Sequence, residues 1–284
     1  MSAPATFDPE RVPVRPAATV MLVDDRPDLH VLMVRRTARA VFAPDMWVFP
    51  GGRVDAEDHA EDFDRMFSGL TDAQASRILE LDHGGLAWWL AACRETLEEA
   101  GLLLATAGAP GHDVVRLREA VRADESVFAA LLLAEGIVLD ASAMEEVARF
   151  ITPVGAPRRF DARFFVAESP SDQEPHHDDR EIVDWDWIRP AEALSRWAQG
   201  SFEMMSPTER MIACLARYPS VGAVMAAARR RLPYQRIRVV DPEGEYRVAL
   251  PGDAGYETAE LELELGWVRL WKSGPAVDAG SAKS

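Results

Sequence analysis

Cysteine is scarce in this sequence, which argues against two common ways of stabilising a fold. Its two cysteines, Cys93 and Cys214, are too few for a disulfide scaffold or a structural zinc site. Cys93 falls in an apolar stripe at helical spacing, so we expect a reduced thiol in the core. Both features favour a reducing compartment, and we expect the cytoplasm.

Long apolar runs are also missing. No uncharged apolar stretch approaches the ~18 residues that a membrane-spanning helix requires. Residues 1–16 are rich in proline and polar side chains and lack the apolar run of a signal peptide. We therefore expect a protein that does not insert into a membrane.

Basic residues are in the minority, and this limits the partners that the chain can bind. The sequence has 31 lysines and arginines against 47 acids, a net charge of −16. Such a charge repels phosphate backbones, so nucleic acid is disfavoured as a partner and a small molecule is expected instead. The sequence leaves a homodimer open.

Hydrophobic residues make up 48% of the 284 residues, enough to build a substantial core. Strand-like segments flank one strong helix, and further helices follow, which predicts an α/β (α+β) fold with a mixed sheet. The segments expected along the chain are a flexible arm (1–16), a main domain (17–256) that carries an insertion (59–86) and a C-terminal helical and β elaboration (206–256), and a final strand with a disordered tail (257–284).

The helix predicted at 86–99 concentrates three carboxylates on one face. Glu95, Glu98 and Glu99 are three or four residues apart, so they fall on one side of a helix. The apolar residues of this helix, such as Leu90 and Cys93, fall on the other side. Most acidic helix faces are simply solvated, but clustered carboxylate oxygens also suit Mg²⁺ or Mn²⁺ bridging to substrate phosphates.

The residues around this helix decide between the two interpretations. Upstream, Gly51 and Gly52 allow the backbone to approach a ligand closely, and downstream Gly101 ends the helix. From Gly52 to Leu102 the sequence resembles the Nudix box, a glycine followed at fixed spacing by an Arg-Glu-x-x-Glu-Glu-x-Gly segment. Three departures are visible: Asp58 replaces a glutamate, Thr96 replaces an aliphatic residue, and residues 59–86 interrupt the box.

The interruption resembles that of the peroxisomal-type coenzyme A diphosphatases within the Nudix hydrolases. Further segments of the sequence are similar to that subgroup: 31–37, 49–55, 151–153, 158–165 and 250–256. The resemblance implies a Nudix α/β/α sandwich and hydrolysis of coenzyme A or acyl-coenzyme A at its diphosphate. The expected products are 3′,5′-ADP and (acyl-)4′-phosphopantetheine.

The resemblance also implies roles for individual residues. Glu95, Glu98 and Glu99 are expected to bind Mg²⁺ or Mn²⁺, and Arg94 to orient a carboxylate of the box. Glu98, Glu99 or Glu181 is expected to act as the general base. Contacts to the substrate are expected from Arg36, Gly51, Gly52, Arg158 and Arg159. Independently of the resemblance, the local positive charge of Arg158 and Arg159 in an acidic protein predicts that they bind the 3′-phosphate of coenzyme A, with the cluster Arg229, Arg230 and Arg231 as a second candidate.

Other interpretations remain open at this stage. ADP-ribose, NADH and nucleoside triphosphates are alternative substrates. A ligand sensor with a DNA-binding winged helix is an alternative of another class, because residues 206–240 carry seven arginines against one acid, Glu209. His176 and His177 are interpreted as solvated rather than metal-binding, and Trp88 and Trp89 as packing residues.

Overall fold

The computed structural model of the chain describes residues 9–40, 42–105, 113–177, 180–241 and 247–270. Most of the expected arm (1–8) and the expected disordered tail lie outside the described residues. The rest of the arm is ordered, contrary to expectation. It contains a 3₁₀ turn at Pro9–Arg11, and the first strand already begins at Val14. Residues 14–16 join the strand because they pair in parallel with residues 159–161.

As the sequence predicted, strands flank the helix that begins at Leu86, and further helices follow them. The strands are β1 (Val14–Asp25), β2 (Leu29–Arg36), β3 (Trp47–Val48), β4 (Gly51–Arg53), β5 (Phe67–Ser68), β6 (Leu139–Asp140), β7 (Met144–Ile151), β8 (Arg159–Glu168), β9 (Ile182–Ile188), β10 (Gln235–Val240), β11 (Arg247–Ala249) and β12 (Leu261–Val268). The helices are α1 (Phe63–Met66), α2 (Asp72–Leu79), α3 (Leu86–Glu95), α4 (Val114–Ala123), α5 (Phe128–Glu135), α6 (Pro190–Ala198), α7 (Ser206–Leu215) and α8 (Val221–Arg229). A π-helical turn, Thr96–Ala100, continues α3. No helix among the described residues is long and apolar enough to cross a membrane.

One mixed sheet of ten strands organises the described chain. Eight of the strands follow the order β11-β10-β12-β7-β8-β1-β2-β3, while β4 pairs with β1 and β9 pairs with β2. β1 pairs in parallel with β8 along its length, while its other edge forks. Residues 17–19 of that edge pair with β4, and residues 23–25 pair with β2. Gly51 and Gly52 belong to β4, one branch of this fork, and their pairing with β1 positions the site described below.

Helices cover both faces of the sheet, because alternate residues of a strand point to opposite sides. Along β1, Val20 and Leu22 pack with α2, α3, α4 and α5, whereas Met21 and Val23 pack with α6, α7 and α8. The expectation of an α/β/α sandwich is therefore confirmed. Trp89 is fully buried in the first layer, and its indole donates to the carbonyl of Ala141 at 3.0 Å, so it is a packing residue as expected.

The insertion at 59–86 packs into the same core and caps the start of α3. Phe63, Met66 and Leu79 are buried in the α3 layer. The carboxylate of Asp72 accepts hydrogen bonds from the backbone N–H groups of Gly84 (2.9 Å) and Leu86 (3.0 Å). These groups lie at the N-terminus of α3, where no backbone acceptor of the helix itself is available. The insertion therefore fixes the position at which the acid-bearing helix begins.

The C-terminal helices do not form a winged helix of their own. Val221, Val224 and Met225 of α8 are buried against the sheet, and β10, β11 and β12 extend that same sheet beyond β7. The sequence Ser206-Pro207-Thr208-Glu209 is typical of a capping box with Ser206 as the N-cap, but the N-cap of α7 lies one residue earlier. Met205 is the N-cap of α7, without a side-chain bond, and Ser206 already has helical geometry. Glu209 instead pairs with Arg210, which also binds Asp253.

Replacing Asp72 with alanine should destabilise the protein, because two backbone donors at the start of α3 lose their acceptor. We expect a loss of about 1–2 kcal/mol in the free energy of unfolding, measured by urea denaturation. The matched control is Asp82→Ala, which removes an exposed acid from the loop between α2 and α3 and should change stability by less than about 0.5 kcal/mol. Equal losses in both variants would show that Asp72 does not cap α3.

Candidate active site

The three acids lie on the last turns of the α3 segment, where the helix widens into the π turn. Glu95 ends α3, and Glu98 and Glu99 belong to the π turn. Such turns insert one extra residue per turn and are frequent at functional sites. The hydroxyl of Thr96 donates to the carbonyl of Ala92 at 2.8 Å, and Gly101 adopts φ 70° to end the segment.

The acidic face of this helix is largely buried, unlike the solvated acidic faces of most helices. The side chain of Glu99 is 7% exposed, and those of Glu95 and Glu98 are 15% and 19% exposed. The acids are buried because β4 and the loop before it fold over them. The pKa values follow from this: burial raises the pKa of Glu95 to about 8 and also raises that of Glu98. Burial, with the charge of Glu95, holds the pKa of Glu99 well above its usual range.

Arg94 connects the box carboxylates from a buried position. Its guanidinium donates to both oxygens of Asp58, at 3.0 and 2.9 Å, and so takes the bidentate geometry of strong arginine–carboxylate pairs. Nη1 of the same residue donates to Glu95 at 2.9 Å and to Glu98 at 3.0 Å. Burial lowers the pKa of Arg94, but the hydrogen bond that it donates to Asp58 and the charges of the nearby carboxylates raise that pKa above the ordinary value. Asp58 stands where the Nudix box has a glutamate, and its shorter side chain still supplies a carboxylate to Arg94.

Arg36 connects the acids to the loop before β9. It donates to Glu99 at 3.4 Å, and it also pairs with Glu181. Its Nε donates to the carbonyl of Phe42 at 3.1 Å. The structure therefore brings Glu181 next to the box acids, although it lies 82 positions after Glu99 in the sequence. Glu181 is exposed on one side and lines the same cavity as the acids.

Gly51 and Gly52 of β4 approach their neighbours more closely than a residue with a Cβ atom could. The backbone N–H of Gly51 donates to Glu99 at 3.0 Å. A Cβ on Gly52 would lie 2.2 Å from Oε1 of Glu95, and a Cβ on Gly51 would lie 2.5 Å from the carbonyl oxygen of Ala18. Neither glycine could therefore be replaced without moving its neighbour.

Arg118 is a residue of this site that the sequence analysis missed. It lies on α4, and its guanidinium donates twice to the carbonyl oxygen of Glu98, at 3.0 and 2.9 Å. These bonds satisfy a carbonyl at the end of the π turn, where the helix dipole also favours a cation. The only available signal was an arginine within an amphipathic helix, which is common and indicates no target.

A cavity of about 710 Å³ opens beside the acids, and its lining has three parts. The first consists of the acids with Arg36, Gly51, Gly52 and Glu181. The second is an apolar wall that contains Phe49, Phe150, Phe164, Met205, Val248 and Leu263. The third lies near the start of β1 and contains Arg15, Phe42, Arg158 and Phe160. A cavity of this size, apolar with a few polar groups, is typical of small-molecule sites.

Two of the expected site residues behave differently from each other. Arg158 lines the cavity, but Arg159 does not. The side chain of Arg159 is buried and donates to the carbonyl of Thr152 at 2.9 Å, with Glu264 at 3.7 Å. Because neighbouring residues at a strand point to opposite sides, the two arginines could not both face one cavity. The structure thus gives no support to a substrate contact by Arg159.

The acids suit a divalent cation by their chemistry, although they are not gathered around one point. Among the described residues, no group of three or more His, Cys, Asp or Glu side chains already has a metal-binding arrangement. Glu95 and Glu98 are instead turned onto Arg94, and Glu99 onto Arg36 and Gly51. All three are hard oxygen donors whose burial with like charges is unfavourable, and a cation shared between them would relieve that repulsion. His176 packs against the end of the π turn, where its backbone N–H donates to the carbonyl of Ala100.

Comparison with known proteins agrees with this fold. Residues 80–211 match the family model described as the NUDT19 Nudix domain. A crystal structure of a NUDIX hydrolase from Alicyclobacillus acidocaldarius is 28% identical and superposes with a TM-score of 0.64, covering 76% of this chain and 97% of that one. The chain belongs to the Nudix hydrolase superfamily, in the subgroup that the NUDT19 Nudix domain describes.

Curated proteins of the same subgroup are similar over much of the chain. The protein of Gallus gallus named acyl-coenzyme A diphosphatase NUDT19 is 26% identical, over 73% of this chain and 69% of its own length. A putative Nudix hydrolase 7 of Caenorhabditis elegans is 31% identical, over 68% of this chain but only 57% of its own length. The Xenopus laevis protein has the same name as the Gallus gallus protein, and the match covers 54% of the length of the Xenopus laevis protein. These relatives confirm the expectation of an enzyme, a Nudix diphosphatase.

Replacing Gly52 with alanine should impair the reaction without unfolding the protein. The added methyl group meets only the end of the Glu95 side chain, which can swing away at little cost but then leaves its position beside Arg94. We expect kcat/KM to fall at least tenfold, about 1.4 kcal/mol of transition-state stabilisation. The free energy of unfolding should change by less than about 1 kcal/mol.

The control is Gly222→Ala in α8, where the nearest atom to the added Cβ is 4.0 Å away. Alanine in a helix is favoured over glycine by about 0.5–1 kcal/mol, so this variant should be fully active and slightly more stable. Full activity of Gly52→Ala would show that the close approach of Gly52 to Glu95 has no part in the site.

Proposed function

We propose that the chain is a metal-dependent diphosphatase that hydrolyses coenzyme A or acyl-coenzyme A to 3′,5′-ADP and (acyl-)4′-phosphopantetheine. One observation carries this proposal: the acids line the same cavity as an extended apolar wall. A pantetheine arm with its thiol or acyl group would cover that wall, whereas the arms of a nucleoside triphosphate or of ADP-ribose would leave it in contact with water. The names of the chicken, frog and human relatives support the same substrate.

We assign metal binding to Glu95, Glu98 and Glu99, with Mg²⁺ or Mn²⁺ as the ion. A bound ion would neutralise the charge of the diphosphate and polarise it for attack. Arg94 holds Glu95 and Glu98 on one side of the acid cluster, and Arg36 holds Glu99 on the other. In this assignment Arg94 is a positioning residue, because it orients Glu95 and Glu98 without itself needing to contact the ion or the substrate, whereas Arg36 both orients Glu99 and lines the cavity.

Glu181 is the proposed general base, with Glu98 and Glu99 as the alternatives. It lies at the cavity, pairs with Arg36 and keeps one side open to water. A water molecule that loses a proton to this carboxylate forms a new bond to one phosphorus, and the bridging oxygen leaves with the other phosphate. The N–H groups and glycines of residues 51–52 and the guanidinium of Arg36 are proposed to contact the diphosphate. Arg94 takes part through the acids that it orients.

The alternative of a DNA-binding sensor is not favoured by any contact in the structure. The helices that would enter a DNA groove are α7 and α8, and their apolar residues are buried against the sheet. The strands that would form the wing belong to the main sheet. A cytoplasmic location remains an expectation from the sequence.

A substrate panel should show coenzyme A or an acyl-coenzyme A as the preferred substrate. Mass spectrometry of the products is expected to give 3′,5′-ADP and 4′-phosphopantetheine or its acyl ester, with ATP and ADP-ribose at least tenfold lower in kcat/KM. A tenfold preference for ATP or ADP-ribose would show that the apolar wall does not select a pantetheine arm, and the proposed substrate would then be wrong.

Removal of divalent metal should abolish turnover, because the three acids alone cannot neutralise a diphosphate. EDTA is expected to inactivate the enzyme, and Mg²⁺ or Mn²⁺ to restore it without zinc, since the assigned ligands are all carboxylates. Glu98→Gln should lower kcat/KM at least tenfold and weaken Mn²⁺ binding measured by electron paramagnetic resonance. Glu119→Gln, an exposed acid of α4, is the control. Unchanged Mn²⁺ binding in Glu98→Gln would remove Glu98 from the metal site.

A further inference from the structure

Two arginines, Arg15 and Arg158, line the end of the cavity that lies near the start of β1. Arg15 is the second residue of β1, and its register partner on β8 is Phe160. Arg158 precedes β8 by one residue, so it lies next to that pair. Both arginines are exposed, and both line the cavity. The sequence analysis placed Arg15 in a flexible arm, so its position here is a finding of the structure.

The charges of these two arginines are not used by the protein itself. Within the described part of the chain, neither guanidinium makes a hydrogen bond or an ion pair. The other cavity arginines do: Arg36 pairs with Glu99 and Glu181, and Arg53 lies 3.3 Å from Asp55. In a chain with a net charge of −16, two adjacent arginines without an acid partner favour an external anion.

Their distance from the acids indicates which anion this is. Thr19 of β1 pairs with Gly51, whose N–H binds Glu99, so Thr19 marks the acid end of the cavity. Arg15 lies four residues earlier on the same strand, which places its Cα about 13 Å from that of Thr19 at ~3.3 Å per residue. This separation suits a second phosphate on the same ligand better than the diphosphate at the acids.

The residues beside the arginines suit a nucleoside. Phe42 and Phe160 contact each other edge to face, with ring centroids 5.2 Å apart, and both line this end of the cavity. Aromatic side chains bind nucleobases by stacking. The carbonyl of Phe42 accepts from Arg36, so the aromatic pair is also tied to the acid end. A base, a phosphate beside it and a diphosphate beyond it would thus meet complementary groups in that order.

We propose that Arg15 and Arg158 form a subsite for a phosphomonoester, and that its ligand is the 3′-phosphate on the nucleotide part of the substrate. This inference rests on the proposed function, since it assigns the nucleotide to the β1 end of the cavity and the pantetheine arm to the apolar wall. Two guanidinium groups around one dianionic phosphate give the charge-assisted bonds by which arginine recognises phosphate. Arg159 has no part in the subsite, because it does not line the cavity and its buried guanidinium already donates to the carbonyl of Thr152.

The first experiment measures the ratio of kcat/KM for coenzyme A to that for dephospho-coenzyme A, which lacks only the 3′-phosphate. The wild type should prefer coenzyme A by about tenfold or more, the lower end for a charge-assisted contact at an exposed site. Arg15→Ala and Arg158→Ala should each reduce this ratio, and the double variant should bring it close to one. Arg15→Lys should retain part of the preference, because it keeps the charge and loses the two-pronged geometry.

The matched control is Arg229→Ala. Arg229 is an exposed arginine at the end of α8 that does not line the cavity, so its removal changes the net charge equally and should leave the ratio unchanged. A ratio that falls as far in Arg229→Ala as in Arg15→Ala would overturn the subsite, because the effect would then come from net charge alone. A wild-type ratio near one, or a ratio unaffected by the double variant, would overturn it as well.

A binding experiment separates failure of this subsite from failure of the proposed function. Calorimetry compares the affinity for 3′,5′-ADP with that for 5′-AMP, which requires no turnover. If coenzyme A is not hydrolysed but 3′,5′-ADP binds about tenfold more tightly and Arg15→Ala removes the difference, the subsite stands and the proposed substrate is wrong. If coenzyme A is hydrolysed and the two nucleotides bind equally, the substrate stands and the subsite is wrong.

Discussion

The burial of three carboxylates on one turn is the constraint on which much of this structure depends. Leaving one buried charge without a partner costs about 3–5 kcal/mol, so each acid requires compensation. Arg94 compensates Glu95 and Glu98, Arg36 compensates Glu99, and Arg118 satisfies the carbonyl at the end of the turn. These three arginines come from α3, β2 and α4, so the acids tie separate parts of the fold together.

The same constraint gives the insertion a structural role. α3 must present its last turn at the fork between β2 and β4, where Gly51 reaches Glu99. Its first turn is held by Asp72 and by Ser76, whose hydroxyl accepts from the N–H of Gly85 at 2.9 Å. Asp58 is the residue just before the insertion, and it accepts two hydrogen bonds from Arg94 near the end of α3. A helix fixed at both ends holds its acids at the cavity.

Residue spacing predicted the acids, and it could not predict most of what surrounds them. Glu95, Glu98 and Glu99 share a face at any helical pitch close to 3.6 residues per turn, so their clustering required no tertiary information. Their burial did, because β4, which covers them, is brought in by pairing with β1. Arg15 was missed because a strand start with two prolines nearby is typical of a loose arm, and only the parallel pairing with β8 orders it.

The two neighbours Arg158 and Arg159 show how strand alternation decides between residues that sequence treats as equivalent. Residues 15, 17 and 19 of β1, and 160, 162 and 164 of β8, line the cavity, whereas Ala18, Val20 and Phe165 between or after them build the α3 core. The acids, in contrast, come from a helix and not from the cavity floor. Chemistry and selectivity therefore depend on different elements, and a change on the floor, such as at Arg15, alters what is bound while the acid turn keeps its contacts.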